Sequence, residues 1–74
     1  MTYYALVISF EDTTCTVSMT GASSPSDLRS LIGKKVVWHQ SEGTVTDIED
    51  EFLVIKFKEG SKMPGQGGMV DIEE

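Results

Sequence analysis

His39 is the single histidine of the chain and Cys15 its single cysteine, so these two residues bound any nucleophilic or general-base chemistry. Such chemistry needs a nucleophile, a base and an orienting group acting together. No serine or cysteine is placed by sequence beside His39, which reads as a surface or stacking imidazole in a protein that is not an enzyme. Cys15 alternates with Val17 and Met19, the pattern of a small buried hydrophobe rather than a reactive thiol. The acids Asp47, Glu49, Asp50 and Glu51 lack the glycine and the terminal bidentate glutamate of a calcium loop, so they read as a solvated hairpin tip. No metal and no cofactor is expected. Gly65, Gly67 and Gly68 do not make a phosphate loop, because that motif needs a helix after it and here a strand pattern follows.

What remains is binding chemistry. Lys56 and Lys58 share one face of a strand pattern, about 7 Å apart by strand rise. Lys34, Lys35 and Lys62 flank loops, and the glycines from Gly65 to Gly68 allow one backbone to approach another closely. Trp38 and His39 offer planes on which a nucleobase could stack. The plainer alternative makes Trp38 a core residue and the lysines ordinary solubilising charges.

The elements that must hold these residues are short. Tyr4, Leu6, Ile8 and Phe10 alternate with Tyr3, Ala5, Val7 and Ser9, and with both faces apolar the stretch reads as a central strand. After a turn at Glu11-Asp12-Thr13, residues 14–20 alternate with a hydroxyl-rich outer face. Ser24, Pro25 and Asp27 read as a helix start, Leu28, Leu31 and Ile32 as its apolar stripe, and Gly33 as its left-handed stop. This helix of two turns at most would plug one end of a barrel. Val36 and Trp38 then face one way, Val37 and His39 the other, with a turn expected at Ser41-Glu42-Gly43 and a strand from Thr44 to Ile48. The tip Glu49-Asp50-Glu51 leads to a strand with Leu53, Ile55 and Phe57 inward, and the loop from Gly60 to Gly68 to a last strand, Met69 to Glu73. About six strands and one short helix predict an all-β fold, a small closed six-stranded antiparallel barrel, because closure removes exposed sheet edges.

The 74 residues leave room for one such domain. A lone cysteine cannot form an intrachain disulfide, no apolar run approaches the roughly 20 residues of a membrane span, and no export signal is visible. A reduced, cytoplasmic setting away from the membrane is expected.

The order of motifs resembles the archaeal and eukaryotic large-subunit ribosomal protein family thirty-five-Ae. The carriers are the opening strand Ala5 to Phe10, the segment Ala22 to Leu31 and the glycine-basic-x-Val-x-Trp element of Gly33, Lys34, Val36 and Trp38. Gly43 with Val45, Lys56 with Phe57, and the loop Pro64-Gly65-Gln66 with Gly68 continue the match. The likeness spans nearly the whole chain. It implies a translation-protein barrel that binds large-subunit ribosomal RNA beside neighbouring ribosomal proteins and catalyses nothing. Lys34, Lys35, Lys56 and Lys58 would take the RNA-facing basic role, joined by Lys62, and Pro64-Gly65-Gln66 would approach the RNA backbone.

Charge separates this chain from that pattern. Twelve acids against six bases give a net charge of −6, and the tips Glu11-Asp12 and Glu49-Asp50-Glu51 stand where relatives are neutral or basic. Five of the six bases lie between Lys34 and Lys62, so any footprint for phosphate is local. The alternative reading is an acidic paralogue that has left the ribosome, a protein-interaction module whose acidic tips recognise a basic protein partner.

Overall fold

A computed structural model describes residues 2–20 and 25–74. Six antiparallel strands, β1 (Thr2–Glu11), β2 (Thr14–Thr20), β3 (Lys35–Trp38), β4 (Ser41–Glu49), β5 (Phe52–Phe57) and β6 (Met69–Glu73), close into a barrel in the order β1-β2-β5-β4-β3-β6. Period-two alternation aims one residue in two at the axis. Ala5, Val7, Cys15, Val17, Val36, Val45, Leu53, Ile55, Phe57, Val70 and Ile72 are all buried there. Closure pairs each strand on both sides, so no ladder edge is left open.

A six-stranded sheet closes only if its strands tilt and stagger. The stagger is visible in the pairing. From Thr2 the paired row runs through Glu73, Lys35, Thr44, Lys56 and Thr14 and rejoins β1 at Glu11, nine positions further along the same strand. Bulges between Val7 and Ser9 in β1, and between Val45 and Asp47 in β4, supply local bends.

Three expectations are corrected. β1 is not buried on both faces: Tyr3, Ala5 and Val7 point into the core, while Tyr4 is 51 % exposed, Leu6 36 % and Phe10 55 %. A barrel wall has one inside, so the second apolar face meets solvent. The turn expected at Ser41-Glu42-Gly43 lies instead at His39-Gln40, because Trp38 pairs with Ser41 across a two-residue loop. His39 adopts the left-handed conformation there (φ 52°). Gly43 is a strand residue opposite Phe57, and a Cβ on it would lie 2.9 Å from the Lys56 carbonyl oxygen and 3.0 Å from the Phe57 ring. It is glycine for closeness, not for turning.

The expected helix shrinks to a 3-10 turn, Leu28–Leu31, capped by the Asp27 carboxylate, which accepts from the Arg29 backbone N–H at 3.0 Å. The cap holds the Asp27 carboxyl below its ordinary range, chiefly through that bond and then through the Arg29 side chain. The expected start at Ser24 lies outside the described residues. Leu31 is fully buried against the core, as a plug requires, and Gly33 has the left-handed φ of 91°. Its N–H donates to the Val45 carbonyl, so the residue that ends the turn also begins the approach to β4.

Candidate functional site

The register brings together residues far apart in sequence. Lys35 and Lys56 both pair with Thr44, so they flank it on the outer face of β3, β4 and β5, roughly 10 Å apart at two strand spacings. Lys58 follows just beyond the end of β5, beside an open hollow of 420 Å³ that Thr44, Thr46, Lys56 and Glu59 help to line. Gly43 and Phe57 line it too: the missing side chain leaves room for the ring beside β4.

A second hollow, of 670 Å³, shares no lining residue with the first and lies at the β3-β4 turn. It joins Trp38, His39 and Lys62 with Gln40, Ser41 and Ser61. The Trp38 and His39 rings stand edge to face, their centroids 4.4 Å apart with an interplanar angle of 84°. Trp38 also packs partly against the core, while lining this hollow. Sequence reasoning placed Trp38 and His39 together but missed Gln40, Ser41 and Ser61. The pairing of Trp38 with Ser41 creates that grouping, and a two-residue turn at His39-Gln40 was its only local sign.

The lysines are not equivalent. Lys35 Nζ lies 3.6 Å from Glu42 Oε1 and 4.0 Å from Glu73 Oε1, so its charge is largely matched at an exposed site. Among the described residues, Lys34, Lys56, Lys58 and Lys62 make no ion pair. Lys34 is half-buried, and its carbonyl accepts from the Val45 N–H. Acids border the lysine row at both ends. Glu73 faces Lys35, while Glu11, Asp12 and Glu49 share a shallow hollow with Lys56 on its β2 side.

The glycine loop brings its own backbone against β1. Gly67 N–H donates to the Val7 carbonyl at 2.9 Å and Val7 N–H to the Gly68 carbonyl at 2.8 Å, so the close backbone approach is to β1, extending its ladder with β6 by one residue, up to the bulge. Pro64 is buried; of the three expected RNA contacts in this loop, Gly65 and Gln66 face solvent.

Cys15 is fully buried, and burial pushes its thiol up, so no thiolate reaches the surface. His39 is exposed at a hairpin tip with Trp38 as its ring partner. Among the described residues, no three His, Cys, Asp or Glu side chains converge as metal ligands would, and no helix is long and apolar enough to cross a membrane. The arrangement can offer ammonium groups, hydroxyls and one aromatic pair to a polyanion carrying unpaired bases. Comparison with known proteins finds no family model, no curated protein and no solved structure that matches this chain.

Proposed function

We propose that this chain is a non-catalytic RNA-binding barrel, a ribosomal protein of the thirty-five-Ae type or a close relative, that docks on large-subunit ribosomal RNA through the β3-β4-β5 wall. One observation carries the reading: Lys56 and Lys58 line one hollow, Lys62 lines another with Trp38 and His39, and none of the three lysines makes an ion pair among the described residues. Phosphate contacts from the lysines would position the RNA, and an unstacked base would lie on the aromatic pair. Acids at either end of the lysine row, with Glu42 and Glu59 inside the hollow itself, would limit the phosphate contacts to those within reach of the unpaired ammonium groups. Work on the ribosome would place the protein in the cytoplasm.

The test is a titration of a large-subunit ribosomal RNA fragment at several salt concentrations. Affinity should fall steeply as salt rises, because each phosphate neutralised releases counterions. Absence of binding at low salt would refute the reading. The acidic-paralogue alternative draws on Glu11, Asp12 and Glu49 gathering around one hollow. Sedimentation separates the two: a ribosomal protein travels with large subunits, and a departed paralogue stays in the supernatant.

A further inference from the structure

We infer that the outer wall of β6 and β1 is a docking site for a partner protein, and that it receives an arginine flanked by apolar side chains. The wall meets the lysine row where Glu73 pairs with Lys35 and Val37 with Glu42, but the inference does not depend on RNA binding.

Tyr4, Leu6 and Met69 are 51 %, 36 % and 46 % exposed, and none belongs to the core or packs against it. The barrel does not require apolar residues here. Directly beside them on β2, Ser18 pairs with Leu6 and Thr20 with Tyr4, so the same outward face folds equally well with hydroxyls. The apolar residues are contiguous. Leu6 pairs with Met69, Tyr4 pairs with Asp71, and Asp71 pairs on its other side with Val37.

Asp71 identifies the occupant. Its exposed carboxylate stands between Tyr4 and Val37, two residues from Met69, and makes no ion pair among the described residues. A carboxylate framed by an aromatic ring and apolar side chains fits a guanidinium, which bonds the acid in a fork and lies on the ring face. The stem of the arginine and its apolar neighbours would cover Leu6 and Met69. A phosphate backbone is disfavoured by the unpaired carboxylate of Asp71. Strand addition is excluded too, because the closed barrel offers no free edge. A second copy is a poor occupant: the chain's one arginine, Arg29, already binds Asp27 at 3.3 Å, and the net charge of −6 repels a like molecule.

The test titrates the full-length, nitrogen-15-labelled protein with the synthetic peptide acetyl-Leu-Arg-Val-Arg-Leu-amide, with glutamates replacing both arginines as the control. Amide shifts should concentrate on Tyr4, Leu6, Val37, Met69 and Asp71, and the control should cause none. Tyr4→Ser and Asp71→Asn should each weaken the peptide at least ~5-fold while leaving the spectrum folded and RNA affinity unchanged. The inference is overturned by silence at ~2 mM peptide, by shifts centred on Glu11, Asp12 and Glu49, or by full affinity in Tyr4→Ser. A dimer in sedimentation equilibrium that Tyr4→Ser dissolves would also overturn it, since the wall would then belong to a second copy.

Discussion

The β3-β4-β5 wall and the β6-β1 wall are built alike on the inside and differ on the outside. Both send alternate residues to the same core, Val36, Val45 and Ile55 from one, Ala5, Val70 and Ile72 from the other. Outward, the first wall carries Lys35, Thr44 and Lys56, the second Leu6, Tyr4, Met69 and Asp71. Closing the barrel constrains only inward positions, so the outward ones are free to specialise. Two surfaces of opposite chemistry can therefore sit on one small frame without competing for stability.

The largest way to break this comparison is to remove its shared support. Phe57→Ala empties the end of the core and exposes Gly43, at a cost of about 3–5 kcal/mol. A domain this size commands a stability of similar magnitude, so the variant should be unfolded at room temperature by circular dichroism. Both surfaces would then be lost together.

Charge reversal should instead separate the walls. Lys56→Glu combined with Lys58→Glu should reduce RNA affinity about 100-fold at moderate salt and lower the slope of log affinity against log salt by about two. Circular dichroism should show the variant folded, with a urea midpoint lowered only modestly by the acid that Lys56→Glu adds beside Glu11, Asp12 and Glu49, because both side chains are exposed. Tyr4→Ser should leave the RNA titration unchanged. If it weakened RNA as much as the lysine pair does, the two walls would be one surface.

Gly43→Ala probes the contact beneath the lysine hollow. A Cβ 2.9 Å from a backbone oxygen cannot be relieved by a rotamer change, so the strands must shift. Urea unfolding should show a loss of about 1–3 kcal/mol.

A smaller effect appears in alkali. Burial raises the Cys15 thiol above its ordinary 9.0 in the folded protein, so the folded state holds its proton more tightly than the unfolded chain does. That contribution is complete below the unfolded value and disappears as pH rises through the folded one. The Tyr3 phenol, raised chiefly by hydrogen bonding to Glu74 and then by burial, acts in the same direction above 10.0. Urea midpoints at about pH 8 and about pH 10 should therefore fall more for the parent than for Cys15→Ala. The smallest effect belongs to Lys35→Ala. Its two carboxylate contacts are half-exposed, and the change in stability should stay within about 0.5 kcal/mol by the same measurement.

Much of the frame was readable in advance, and the errors have specific causes. Leu53, Ile55 and Phe57 face inward as their alternation requires, and the tip at Asp50-Glu51 joins β4 to β5 as its acids suggested. β1 misled because an apolar outer face has the same pattern as a second buried face. Gly43 misled because glycine serves both turns and close packing. The lysines were recognised as a group, yet Lys35 is matched by Glu42 and Glu73, and Pro64 is buried.

The residue pattern alone determined the number of strands, the inward faces of β2 and β5 and the gathering of five of the six bases between Lys34 and Lys62. These follow from local periodicity and composition, which each short segment carries by itself. Only the tertiary structure decided that Thr44 would lie between Lys35 and Lys56, that Ser61 and Lys62 would join Trp38, and that Asp71 would stand beside Tyr4. Those neighbours depend on strand order and stagger. Both are set by how the whole sheet tilts to close, a condition no single segment contains.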